Sequence, residues 1–213
     1  MKQEQESISC AMRYFRALLE QRLFAEYISE ELHLSYAQKS SLYQIVVGKV
    51  RPTYGIIYFL RDKIAPVKWY YAEQENCPSP IKFDPLHNNY ATATRKIFAR
   101  KKTCGHVFFD ILKANRSLTS VCRSHDIQKS VVINYVYMKM GPDKKMRYLC
   151  RPTVPFVSTF KDILHPDYWY IFPDELSKEA LADFKDKAYE CAKEFKTFRL
   201  KQFQSHFYDF LNS

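Results

Sequence analysis

The chain contains itself twice, and that limits its folds more than any composition figure does. Residues 51–70, RPTYGIIYFLRDKIAPVKWY, match residues 151–170, RPTVPFVSTFKDILHPDYWY, without a gap. Arg51, Pro52, Thr53, Asp62, Pro66, Trp69 and Tyr70 recur as Arg151, Pro152, Thr153, Asp162, Pro166, Trp169 and Tyr170. Chance identity in such a window is roughly one or two positions. Both tryptophans of the protein stand at equivalent places. Upstream, Gln38-Lys39-Ser40 recurs as Gln128-Lys129-Ser130, and Val46 matches Val136, at an offset of 90 instead of 100. The second copy therefore carries ten extra residues, placed in 140–149, where Gly141-Pro142-Asp143 has turn chemistry.

Hydrophobic spacing predicts five short helices in each copy. In the first, Met12, Phe15, Leu18, Leu19 and Leu23 mark one helix; Ile28, Leu32 and Leu34 mark a second. Leu42, Ile45 and Val46 line a third. Thr53 suits the N-cap of a fourth that runs through Ile56, Ile57, Phe59, Leu60 and Ile64. Pro66 opens a fifth, anchored in the core by Trp69. The second copy runs in parallel: Phe108 to Leu112, Leu118 to Cys122, Val131 to Tyr135, Phe156 to Leu164, and Pro166 to Trp169. Residues 72–94, with Pro78, Pro80 and Pro85, read as a semi-rigid linker. Leu181, Phe184, Ala188, Cys191, Phe195 and Phe198 form a heptad-like seam on a long C-terminal helix, 172–213. That seam is buried either by docking across the two repeats or by homodimerisation or a partner protein; docking is the blander expectation.

Composition removes several function classes. With only 4 glycines among 213 residues, and neither G-x-x-x-x-G-K-[ST] nor G-x-G-x-x-G, the common nucleotide-binding enzymes drop out. The six cysteines are scattered with no C-x-x-C pair, so zinc is not expected and a reduced, cytoplasmic setting is. Cys104 and His106 are too close for finger spacing. No apolar run approaches about 18 residues and the first residues lack a signal pattern, so neither a membrane span nor a secretory leader is expected. Asp84 and His87 have no nucleophile or metal constellation around them; no enzyme activity and no cofactor are expected.

The charge is uneven. Lys+Arg 33 against Asp+Glu 23 gives a net +10. Residues 1–75 carry 10 basic and 9 acidic side chains, residues 76–175 carry 16 and 8, and residues 176–213 carry 7 and 6. The excess in the middle favours a nucleic acid or another anionic partner.

A helix, two short helices joined by a turn, and then Gly48-Lys49-Val50-Arg51-Pro52-Thr53 before a closing pair of helices resembles the lambda/Cro-like (XRE, phage-repressor-type) helix-turn-helix family. The second copy carries the central unit as Val121-Cys122, His125-Asp126-Ile127-Gln128 and Val132. The resemblance covers about residues 7–71 and 106–171. His33 and Asp126 stand at the turn glycine, and Ser35, Tyr36 and Ala37 are extra in the first copy. The resemblance implies an all-α chain: a first helix-turn-helix domain over 1–71, the linker over 72–94, a second domain over 95–171 with a basic N-terminal helix, and the C-terminal helix.

It also implies double-stranded DNA as partner. In this family type the second helix of the unit enters the major groove, and its leading residues reach base edges. Those positions are Gln38, Lys39, Ser40, Ser41, Tyr43 and Gln44 in the first copy, and Gln128, Lys129, Ser130, Ile133, Asn134 and Tyr137 in the second; Lys49, in the motif after the helix, is a further DNA-contact candidate. Gln and Asn suit adenine, Lys suits guanine or phosphate, and Ser suits either. Arg95, Lys96, Arg100, Lys101 and Lys102, with Lys144 and Lys145 on the insertion, are placed to contact phosphate. Arg51 and Arg151 read as structural residues that cap or pair with acidic neighbours. Recurrence of Gln-Lys-Ser suggests similar bases read twice, in an inverted or a direct repeat. The expectation is a sequence-specific transcriptional regulator. The alternatives are an adaptor that keeps the fold without reading DNA, its polar helix faces simply solvated, or a non-specific nucleic-acid-binding subunit of a larger complex.

Overall fold

The computed structural model describes residues 8–32, 34–72, 75–86, 101–140, 146–147 and 151–211; beyond residue 197 only the helical backbone is described. The chain is all-α apart from one minimal hairpin among the described residues. In the first repeat, α1 spans Cys10–Glu20, α2 Phe24–Glu30, α3 Tyr36–Val46 and α4 Tyr54–Leu60, followed by a single 3-10 turn at Pro66–Trp69. In the second, α5 spans Cys104–Ala114, α6 Leu118–Ser124, α7 Lys129–Val136 and α8 Val154–Thr159, with the matching 3-10 turn at Pro166–Trp169. A further turn at Pro173–Glu175 leads into α9, Lys178–Leu211.

Local chemistry sets these ends. Thr53 and Thr153 cap α4 and α8 in the same way, each hydroxyl oxygen accepting from the N–H three residues on at 3.4 Å. Pro66 and Pro166 fit the first turn of their 3-10 segments because their missing N–H has no partner to lose there. The fifth helix of each repeat is thus a four-residue turn, with its tryptophan buried as expected. The surplus in the second repeat starts and ends as an antiparallel pair, β1 (Lys139–Met140) and β2 (Met146–Arg147), instead of a plain loop. It forms because α7 stops at Val136 and Tyr137 is already extended.

The geometry uncovers a third register of the duplication, at an offset of 94. Cys10 N–H donates to Tyr71 O at 2.9 Å, and Cys104 N–H donates to Ile171 O at 2.8 Å. Arg22 and Arg116 both adopt φ 61. Phe15 matches Phe109 and Leu18 matches Leu112 at this offset.

The repeats meet through equivalent residues. The Tyr70 and Tyr170 hydroxyls hydrogen-bond to each other, and the Tyr54 ring stacks on Tyr170 with centroids 4.6 Å apart. Arg61 of the first repeat donates to Tyr170 O and to both carboxylate oxygens of Glu175. Lys161, its counterpart, donates to Tyr70 O at 3.4 Å and to Glu75 at 3.2 Å. A residue touching its own counterpart, flanked by a reciprocal exchange, is the signature of a two-fold interface. Here both sides belong to one chain. The exchange is unequal in burial: the side chains of Arg61 and Glu175 are 0% exposed, while those of Lys161 and Glu75 are 31% and 44% exposed.

The linker takes part in this interface. Asp167 accepts from Val67 N–H at 2.6 Å and from Ile81 N–H at 2.9 Å, and Asp84 N–H donates to Glu175 O at 2.9 Å. Phe83 lies against the Arg61 guanidinium, 4.9 Å from ring centroid to Cζ. Among the described residues the long helix α9 packs on α5 and α6 of the second repeat. Phe184, Ala188 and Ala192 are buried there, and the Phe184 ring lies 4.5 Å from that of Tyr168.

Candidate nucleic-acid interface

In the second repeat, α6 and α7 are joined by four residues, His125 to Gln128. Asp126 adopts φ 48, a left-handed backbone that its short polar side chain tolerates better than a bulkier one does. The turn is held from both sides. The His125 ring contacts Val121 O through Nδ1 at 2.9 Å and the Asp162 carboxylate through Nε2 at 3.0 Å. Ile127 N–H donates to Cys122 O at 2.9 Å.

The inner face of α7 buries Val132 and Val136, and the Tyr135 ring lies tilted against that of Phe156 with centroids 4.5 Å apart. This fixes the rotation of α7 about its own axis, because residues three and four apart share a face. Gln128, Lys129, Ser130 and Asn134 are exposed, and Ile133 is half-buried. Tyr137 points elsewhere than a base-reading role requires. Its hydroxyl donates to Phe109 O at 3.1 Å, and Lys113 Nζ sits 4.3 Å over its ring.

The first repeat presents α3 differently. It begins at Tyr36, so Gln38 is the third helical residue and its side chain accepts from the Ser35 N–H at 2.7 Å, closing a capping box. Lys39 Nζ donates to Ser29 Oγ at 2.7 Å, tying α3 to α2. Ser40, Ser41, Tyr43 and Lys49 are exposed and Gln44 is half-buried. Tyr36, a residue the sequence did not mark, is the most exposed aromatic of this face at 88%. The two outward sets are therefore not copies, despite the shared Gln-Lys-Ser.

Of the basic run before α5, Lys101 and Lys102 lie outside the helix, just ahead of its Thr103 N-cap. Lys101 pairs with Asp174 at 2.8 Å and Lys102 with Asp110. Arg95, Lys96, Arg100, Lys144 and Lys145 lie outside the described residues.

The matched Arg-Pro-Thr loops face each other across the two-fold interface. Arg51, Pro52 and Thr53 line one wall and Arg151, Pro152 and Thr153 the other of a cavity of about 570 Å³. Both arginines are exposed beside it. The sequence marked this pair but gave no hint that the loops converge.

The buried titratable groups serve packing. Burial pushes the His106 imidazole down to about 3, and its Nδ1 contacts Thr103 Oγ1 at 2.7 Å as part of a capping arrangement for α5. Burial pushes the Cys104 thiol up to about 12, which keeps it protonated. Among the described residues no group of three His, Cys, Asp or Glu is placed to hold a metal ion, and no helix is long and apolar enough to cross a membrane.

The fold and site define an all-α protein whose two repeats pair about an internal two-fold axis, each offering an outward polar helix. No protein-family model matches the chain, and neither a curated protein nor a solved structure does.

Proposed function

We propose that the chain is a sequence-specific double-stranded DNA-binding protein, acting as a transcriptional regulator, with two helix-turn-helix units in one polypeptide. One observation carries the reading. The α6–α7 pair holds Gln128, Lys129, Ser130 and Asn134 on the exposed side of a helix whose other side is locked by Val132, Val136 and the left-handed Asp126. These side chains carry the donors and acceptors that base edges require. The net excess of basic residues in 76–175 supports attraction to phosphate.

The internal two-fold axis adds the layout of the site. Two units related by such an axis read half-sites of opposite direction, so the target is an inverted and not a direct repeat. The two outward sets differ, so the half-sites differ in sequence as well. The exposed Arg51 and Arg151 line the cavity between the two Arg-Pro-Thr loops and add positive charge between the units. Joining the units in one chain makes the second contact intramolecular.

A second reading is a protein-interaction adaptor. It is favoured by the first repeat, where Gln38 and Lys39 already hold the α3 end and α2. Selection of the purified chain on random duplex DNA separates the two. A regulator returns an inverted two-part motif, one half of which weakens with Lys129→Ala and the other with Ser40→Ala plus Tyr43→Ala. An adaptor returns no motif. Loss of the second-repeat half alone makes the first repeat a structural or partner-binding unit.

A further inference from the structure

The groove that α9 fills on the second repeat has an open counterpart on the first. In the second repeat the chain leaves the Pro173–Glu175 turn and continues as α9, with Ser177 Oγ accepting from Ala180 N–H at 3.1 Å, so that Phe184 packs on Tyr168. At the matching point of the first repeat the chain reads Cys77-Pro78-Ser79-Pro80. Prolines two apart remove the donors a helix interior needs. The chain there runs extended, pinned at Ile81 by Asp167 and at Asp84 by the backbone of Glu175. It is tied to the second repeat through these bonds, and its Pro80 stands beside α1 and α2.

What stays behind is a cavity of about 500 Å³ on the first repeat, walled by Ala11, Tyr14, Tyr27, Ile64 and Pro80. Counted through the 94 and 100 offsets, its lining maps onto the second repeat, with Lys68 standing for Tyr168, on which Phe184 of α9 packs, and Pro80 for Ala180 at the start of α9. Cys10 stands for Cys104, Tyr14 for Phe108, and Ile64 for Leu164. Tyr14 is 45% exposed, whereas its counterpart Phe108 is 2% exposed. Among the described residues no helix packs here as α9 does on the second repeat.

The charge has changed. Lys63 and Lys68 line the open cavity where Ile163 and Tyr168 stand in the second repeat. Lys63 is exposed and Lys68 half-buried, and no acidic side chain joins them in the lining. Acidic groups nearby among the described residues include Glu31, beyond Tyr27, Glu75, which pairs with Lys161, and the buried Asp167, whose carboxylate already accepts two backbone N–H groups. We infer that this groove on the first repeat docks an amphipathic helix of a partner protein, one that carries acidic residues beside a small-and-aromatic apolar face. The face is that of α9, one phenylalanine followed by alanines four and eight residues on; the acidic flank answers Lys63 and Lys68. Charge matching of this kind selects the partner and speeds its arrival more than it tightens the complex. The inference stands apart from DNA reading.

The test uses the full chain and two labelled peptides that copy residues 176–197. One carries Lys185→Glu and Lys187→Glu; the other carries Asp183→Lys and Asp186→Lys. Fluorescence anisotropy at low salt is expected to show the acidic peptide binding about tenfold more tightly than the basic one, with the gap closing as salt shortens the Debye length. Lys63→Glu with Lys68→Glu is expected to abolish or invert that preference while leaving the melting curve and any DNA retention unchanged. Equal binding of both peptides, binding of neither, or a preference that survives the lysine changes overturns the inference. So does self-association of the chain, seen by sedimentation, that the lysine changes abolish, because the occupant is then a second copy. Photocrosslinking from the peptide phenylalanine must land on α1 or α2; landing on α5 or α6 means it merely displaces α9 and also refutes the assignment.

Discussion

Replacing Glu175 by glutamine should harm this protein far more than the same change at Glu75, although the two glutamates are equivalent in the repeat. Glu175 accepts from Arg61 Nη1 at 2.7 Å, from Nη2, and from Phe172 N–H at 2.9 Å. Both side chains of the pair are fully buried. Glutamine keeps the shape but leaves a guanidinium in the interior without a counter-charge. Breaking a buried pair from one side costs about 3–5 kcal/mol. Glu75 faces Lys161 with both side chains partly in water, and a pair of that kind contributes only ~0–1 kcal/mol.

In urea, with a slope near 3 kcal/mol/M for a chain of this size, Glu175→Gln should lower the midpoint by roughly 1–2 M and Glu75→Gln by about 0.3 M or less. The melting temperature should fall by roughly 6–20 °C and by a few degrees at most, respectively. Adding Arg61→Met to Glu175→Gln removes both charges and should recover most of the loss, since apolar replacements of buried pairs are often neutral. If Glu175→Gln costs no more than Glu75→Gln, or the double change is worse than the single one, the interface is not organised around a buried charge pair.

Three further outcomes follow from the packing. Gly105→Ala would place a Cβ 2.5 Å from Trp169 Cε3, so it should cost about 1–3 kcal/mol and shift tryptophan fluorescence; an unchanged melt would mean α5 does not lie where it is described. Asp126→Gly should leave stability unchanged or slightly raised, whereas Asp126→Val should lose about 1–2 kcal/mol by thermal melting, because only the latter pays for φ 48. His106 stays neutral when folded but protonates when unfolded near its ordinary 6.5, so its contribution is full above that pH and lost on acidification toward about 3. Stability should fall by up to about 1.4 kcal/mol per pH unit in that window from this group, and His106→Gln should remove that slope from a titration of unfolding midpoints.

Some of this was legible in the sequence and some was not, for identifiable reasons. The 51–70 and 151–170 match showed itself because proline, tryptophan and arginine are rare enough to stand out, and the caps at Thr53 and Thr153 followed from it. The interface did not, because Arg61 matches Lys161 by charge and not by letter, and Glu75 and Glu175 lie five residues past the obvious window. The 94 offset was hidden in α1 and α5, where only scattered Cys, Phe, Leu and Arg positions agree. A heptad seam declares that α9 is covered, yet does not say by which repeat. Tyr137 looked like one more outward residue of α7; the helix ends before it, and the ring folds back on Lys113. Val132 and Val136 fix the rotation of α7 and so leave Gln128, Lys129, Ser130 and Asn134 exposed, whereas Gln38 closes its own helix end, which the shared Gln-Lys-Ser letters do not reveal.

The interface also orders events in time. Arg61, Val67 N–H and Ile81 N–H belong to the first half of the chain, and their acceptors, Glu175 and Asp167, are made about a hundred residues later. At about 5–20 residues per second of synthesis, those groups wait in water for several seconds before anything can close over them. During that interval the first repeat has its helices but not its seal, and its tyrosines at 54, 58 and 70 lie open to chaperones or to another nascent chain. A pause in translation after residue 86 should therefore lower the yield of folded protein more than a pause of equal length after residue 175.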